Sequence, residues 1–207
     1  MKVRISFTYL KKVCLLLILS AGVTVICPLQ SGTPGTGTAD LRRTYGDYIS
    51  TYYRTAIRQQ QKYRIPASIT LAQAILESSA GQSYLALGGN NHFGIKCNDW
   101  NGLCIYKNHE GGHICYRKYL DPADSYEDHS RFLTGRAHYR PLFCLEITDY
   151  RNWAKGLKRY GYATDPQYAA KLISIIETYG LSRYDTAASV DEIPPTVHNR
   201  KTPSSGK

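Results

Sequence analysis

Ile65-Pro66-Ala67-Ser68-Ile69-Thr70-Leu71-Ala72-Gln73-Ala74-Ile75-Leu76-Glu77-Ser78-Ser79-Ala80-Gly81 reads as one helix. Pro66 suits a first helical turn, where its missing N–H costs nothing, and Gly81 suits the end. Ile65, Ile69, Ala72 and Leu76 recur at helical spacing. A single carboxylate, Glu77, falls in or near the last turn. Its helical neighbours three and four residues away are Gln73, Ala74 and Gly81, so no cation on the helix can pair with it. A half-buried, unpaired carboxyl group keeps its proton towards neutral pH. That is the property a general acid for a glycosidic oxygen needs.

Working outward, Asp47 to Tyr63 has helical character, with Ile49, Tyr53, Ala56 and Ile57 on one side. On the other flank the period changes from helical to alternating. Leu103-Cys104-Ile105-Tyr106 and His113-Ile114-Cys115-Tyr116 bracket Glu110-Gly111-Gly112, as the arms of a β-hairpin would, with the tight turn placed at Gly111-Gly112. Helices are expected again over Pro122 to Leu133 and Asp149 to Tyr160. A last helix carries Ala169, Leu172, Ile173 and Ile176 on one face, with Asp165 as N-cap, Pro166 next and Gly180 at its end. The expectation is an α+β domain, mostly helical with one small inserted β-hairpin.

The chain of 207 residues suffices for one well-buried domain once its ends are set aside. Lys2, Arg4, Lys11 and Lys12 precede an uncharged apolar run from Val13 to Ile26, too short for a comfortable membrane span. Residues 1–30 are therefore read as a secretory signal peptide. A lipoprotein signal is disfavoured because Ile26, not a small residue, precedes Cys27. Residues 31–39, rich in Gly, Thr and Pro, are read as a flexible spacer, 40–185 as the folded domain, and 186–207 as a disordered tail.

Export leaves Cys97, Cys104, Cys115 and Cys144 in an oxidising compartment, where two disulfides are expected and three pairings are open. Cys97–Cys115 would fasten the hairpin to the segment before it, leaving Cys104 for Cys144. No CxxC pair or closely spaced His pair supports a metal site. The 26 Lys and Arg against 16 Asp and Glu give a formal charge of +10, which favours an anionic partner without choosing among nucleic acid, lipid and wall polymer. Eighteen Tyr against four Phe and two Trp add flat rings with wettable hydroxyls, as sugar clefts use.

Three motifs then fall in order: Ile65 to Ser78, Asn90-Asn91-His92-Phe93-Gly94-Ile95-Lys96, and Tyr162-Ala163-Thr164-Asp165-Pro166. Together they resemble glycoside hydrolase family 73, the endo-β-N-acetylglucosaminidase-like domains of bacterial autolysins and flagellar wall hydrolases, over about Tyr48 to Tyr184. The resemblance implies a lysozyme-like fold and cleavage of the β-1,4 bond between N-acetylglucosamine and N-acetylmuramic acid without a cofactor. It implies peptidoglycan glycan strands as partner rather than nucleic acid, and membrane contact only through the signal segment. An exported monomer, located in the periplasm or cell envelope or secreted, is expected. Glu77 matches the family's acid.

The second catalytic group is expected from the hairpin, whose one acidic residue is Glu110, with Asp99 or the substrate's own acetamido group as alternatives. Tyr162 matches a tyrosine facing the reaction centre, and Asn91 and Phe93 match cleft-wall residues. Trp100, Trp153, His129 and Arg117 are groove or core residues without an assigned role. Two other readings stay open. One is a muramidase or lytic transglycosylase on the same fold, and the other a non-catalytic wall-binding module.

Overall fold

The computed structural model describes residues 36–186. In chain order they form α1 (Thr36–Tyr63), α2 (Ala67–Ser78), α3 (Tyr84–Gly89), β1 (Cys104–His109), β2 (Gly112–Arg117), α4 (Pro122–Thr134), α5 (Tyr150–Arg159) and α6 (Tyr168–Tyr179). Two 3₁₀ segments, Ala137–Cys144 and Leu181–Tyr184, complete the set. The stretch read as a signal peptide and the greater part of the stretch read as a tail lie outside the described residues. The first helix begins at Thr36, inside the stretch read as spacer. Among the described residues no helix is long and apolar enough to cross a membrane.

Helix α2 sits at the centre. Residues Ala67 to Ile75 and Ser78 are buried, and only Leu76 and Glu77 reach partway to solvent. A helix apolar on every side must be covered on every side. Tyr53, Ala56 and Ile57 of α1, Trp153, Ala154 and Leu157 of α5, and Tyr168, Leu172 and Ile176 of α6 belong to the same buried cluster. Ala67, Ala72 and Ala74 let these neighbours come close. The motif helix thus becomes a buried axle whose C-terminal end emerges at a cleft.

Its N-terminal end is held by partners far away in sequence. Pro66 offers no side-chain cap. Gln60 Oε1 accepts from Ala67 N at 2.7 Å, and Asp185 Oδ1 accepts from Ser68 N at 2.8 Å. Asp185 Oδ2 also accepts from Ser68 Oγ at 2.6 Å. These bonds satisfy backbone donors that a helix start leaves open, and place a carboxylate where the helix dipole favours one.

The hairpin is present, with a register that differs from the expected one. His109 pairs with Gly112, so the two loop residues are Glu110 and Gly111, and Cys115 stands opposite Tyr106 rather than Asn108. Gly111 at φ 101° supplies the left-handed backbone of the second loop position, which a side chain would strain. A bridge between Lys96 and Tyr116 joins the preceding segment to β2.

The Cys97–Cys115 disulfide is formed, with Cα atoms 5.5 Å apart. Cys104 and Cys144 are free and exposed, so their expected bond is absent. The three sulfur atoms of Cys97, Cys104 and Cys115 all lie within 4.8 Å of one another.

Helix α6 starts at Tyr168, three residues after Asp165. Asp165 Oδ1 accepts from Gln167 N at 2.8 Å, so this carboxylate caps the turn before the helix, and Oδ2 pairs with Lys171 Nζ at 2.6 Å. Gly180, at φ 58°, ends the helix as expected.

Candidate active site

Glu77 lies in the last turn of α2, next to a strained exit. Ser79, Ala80 and Gly81 follow one another at φ 52°, 52° and 80°, the left-handed region that favours glycine. Ser78 braces this turn: its hydroxyl donates to Ala74 O at 2.5 Å and accepts from Gly81 N at 2.7 Å. The carboxyl group is therefore presented from a fixed backbone. Burial raises its pKa above the ordinary glutamate value, and the hydroxyl of Tyr168 partly offsets that rise by donating to Oε1 at 2.9 Å. Tyr168 in turn accepts from Gln73 Nε2 at 3.0 Å. The chain Gln73 to Tyr168 to Glu77 occupies one carboxyl oxygen and leaves the other for a substrate.

A cleft of about 330 Å³ opens in front of Glu77. Phe93 and Lys96 line it from the segment after α3, Arg117 from β2, His129 and Phe132 from α4, and Arg136 and Tyr162 from the turns that follow α4 and α5. Tyr162 stacks on Tyr168 with ring centroids 5.6 Å apart. Its hydroxyl has no protein partner among the described residues, and burial together with the nearby Glu77 pushes its pKa well above the ordinary value. It stays a neutral phenol. Phe93, buried, lies flat on the His129 ring at 4.0 Å. His129 is fully buried, its ring nitrogens lack partners, and burial lowers its pKa to about 3. A neutral imidazole here serves as a flat wall, not as a charge.

The remaining sequence candidates fall behind or beyond the cleft. Asn91 is buried. Its Nδ2 donates to Ile95 O at 2.9 Å and Arg117 O at 2.8 Å, and its Oδ1 accepts from Ile95 N at 3.0 Å. These bonds commit its amide to the backbone, so it builds the wall from behind rather than lining it. Glu110 stands exposed at the hairpin tip. At strand rise, the distance along β2 from Arg117 to Gly112 is roughly 17 Å. Asp99 is exposed and does not line the cleft. Glu77 is the one carboxylate among the described lining residues.

Trp153 belongs to the core. Trp100 stacks under the Arg117 guanidinium at 4.8 Å. That guanidinium is bound by both carboxyl oxygens of Asp128, at 2.9 and 2.8 Å.

Tyr168, Lys96 and Arg136 escaped the sequence reading. Tyr168 is 91 residues from Glu77 and sits in an apolar helical pattern, so nothing local marks its hydroxyl as a partner.

A family model described as mannosyl-glycoprotein endo-beta-N-acetylglucosaminidase matches residues 53–181. Exo-glucosaminidase LytG of Bacillus subtilis is 40% identical over 144 residues, covering 60% of this chain and 48% of LytG. Peptidoglycan hydrolase FlgJ of Pseudomonas aeruginosa is 31% identical over 168 residues, covering 73% of this chain and 40% of FlgJ. The chain thus spans under half the length of these two curated relatives. Among solved structures, the catalytic domain of autolysin Auto from Listeria monocytogenes is 30% identical with a TM-score of 0.56, covering 70% of this chain and 87% of that one. The glycoside hydrolase domain of Salmonella typhimurium FlgJ is 28% identical with a TM-score of 0.57, covering 66% and 88%.

Proposed function

The chain belongs to the mannosyl-glycoprotein endo-beta-N-acetylglucosaminidase family, and from that premise we propose that it is an exported peptidoglycan hydrolase cutting β-1,4 bonds between N-acetylglucosamine and N-acetylmuramic acid within glycan strands. The observation that carries this reading is Glu77: a half-buried carboxyl group with raised pKa, held by Tyr168 at one oxygen and facing a cleft at the end of a rigid helix. It protonates the leaving glycosidic oxygen.

The second role falls to Glu110, which reaches the reaction centre when the hairpin folds over a bound strand and there activates a water molecule. Tyr162 faces the sugar on the acid's side and positions the acetamido group or stabilises charge building at the anomeric carbon. Phe93 supplies an apolar ring in the cleft wall, with His129 stacked behind it. Needing no metal or organic cofactor, these steps use the side chains alone. The apolar run at the N-terminus is the export signal, and the enzyme acts as a monomer in the periplasm or cell envelope.

Mass analysis of digested wall material tests the reading. New reducing N-acetylglucosamine ends inside long strands support it. Reducing or anhydro muramic acid ends would transfer the chain to the muramidase or transglycosylase class. Release of single sugars from strand ends would make it exo-acting, as the name of the LytG relative states for that protein.

A further inference from the structure

The cleft carries more positive charge than a neutral sugar requires. Arg117 is spoken for, since its Nη1 donates to both carboxyl oxygens of Asp128, its Nε donates to Lys96 O at 3.2 Å, and Trp100 lies under it. Arg136 and Lys96 are not neutralised in this way. The Arg136 guanidinium lies 3.5 Å from the Phe132 ring centroid and donates to Phe132 O at 3.1 Å, with no carboxylate beside it among the described residues. Lys96 is exposed, and while its backbone bridges to Tyr116 and accepts from Arg117 Nε at 3.2 Å, its ammonium makes no hydrogen bond or ion pair among the described residues. Neither cation figures among the causes of the Glu77 shift, which are burial and Tyr168.

Two cations without a carboxylate partner, lining the same cleft as Glu77, provide a site for an anion. Resting on the glycan-cleaving reading above, we infer that Lys96 and Arg136 recognise a carboxylate carried by the muramyl residue beside the cleaved bond, and so select wall glycan over uncharged chains of β-1,4-linked N-acetylglucosamine. The carboxylate is that of the lactyl ether where the peptide has been removed, or those of the attached peptide where it remains. Both are the same chemistry at the same sugar. A hydrogen-bonded Arg or Lys contact to such a group strengthens binding without altering the acid.

The test compares wild type with Lys96→Met, Arg136→Met and the double variant on three substrates. These are peptide-bearing glycan strands, strands stripped of peptide by an amidase, and a neutral N-acetylglucosamine hexamer. Against at least one carboxylate-bearing substrate the double variant should lose roughly tenfold in kcat/KM, mostly through KM, while its rate on the hexamer changes less than twofold. The substrate showing the larger loss identifies the carboxylate. Equal losses on all three substrates, or no loss on either charged one, would overturn the inference. Lys96 is exposed, so its single variant keeps the test valid if Arg136→Met does not fold.

Binding is measured separately, with Glu77→Gln as the background and the charged strands as probe. Salt-sensitive binding that weakens with Lys96→Met supports the inference even if wild type cuts none of the substrates, an outcome that would sink the glycosidase reading alone. Binding of charged strands and hexamer with equal strength would sink the inference alone.

Discussion

The Tyr168 hydroxyl meets the Glu77 carboxyl group at 2.9 Å, joining two residues 91 positions apart in the chain. Because Tyr168 also accepts from Gln73, its O–H is aimed at Oε1 and the proton of the acid is directed to the other oxygen. Tyr168 is a positioning residue in this scheme. Its replacement should move the acid's ionisation as well as the rate.

Glu77→Gln keeps the hydrogen bond from Tyr168 but cannot donate a proton. The expected outcome is a folded protein with turnover reduced by about 10²–10⁴-fold. Because burial disfavours the charged carboxylate, the variant should also be more stable than wild type at neutral pH. Wall-digestion rates and thermal melts check the two halves. Activity within tenfold of wild type would remove Glu77 from the mechanism.

The acid works protonated, so activity should fall as pH rises through the Glu77 pKa, which burial places above the ordinary glutamate value. Tyr168→Phe removes the bond that favours the carboxylate, and the alkaline limb of the kcat/KM profile should move to higher pH. An unchanged limb with a lower rate would leave Tyr168 a packing role only.

Glu110→Gln should lower turnover roughly 10²-fold on long strands while leaving the melting temperature unchanged, since the residue is exposed at a turn. Normal turnover would hand the second role to the substrate's acetamido group.

Asp185 gives a prediction about stability. Burial raises its pKa to about 6, outweighing the bonds it accepts from Ser68. The folded state thus holds this proton more tightly than the unfolded state. The contribution is fully present below the unfolded value near 3.8 and is lost as pH rises through about 6, by about 3 kcal/mol in total. Asp185→Asn should flatten this decline, so that denaturation midpoints at pH 5 and pH 8 draw together. An unaltered difference between them would show that other groups govern it.

Peptide mapping of unreduced protein should recover Cys97 linked to Cys115, with Cys104 and Cys144 open to alkylation. Cys97→Ser should cost about 3 kcal/mol, as expected for closing a loop of this size. A Cys104–Cys144 peptide would contradict the structure.

Much of the fold was legible because periodicity reports burial locally. The α2 pattern put Glu77 in a last helical turn, and the alternation on either side of Glu110 marked the hairpin. Gly180 marked a helix end. What stayed hidden depends on contacts distant in sequence. Asn91 looks like any turn asparagine until β2 is brought alongside it, and Tyr168 shows only an apolar position. The turn slipped by one residue because two adjacent glycines each permit a left-handed backbone, and strand pairing decides between them. Helix α3 was missed because its six residues are too short to show a period.

The third sulfur beside the Cys97–Cys115 bond gives the protein a covalent history. A Cys104 thiolate attacking Sγ of Cys115 would form a Cys104–Cys115 bond and release Cys97 as thiolate, with no oxidant consumed. Preparations of identical mass and redox state can then differ in how the hairpin is fastened, according to the alkalinity they have met. Cys104→Ser would leave one isomer of this cluster, and its peptide map should be the same before and after exposure to alkaline buffer.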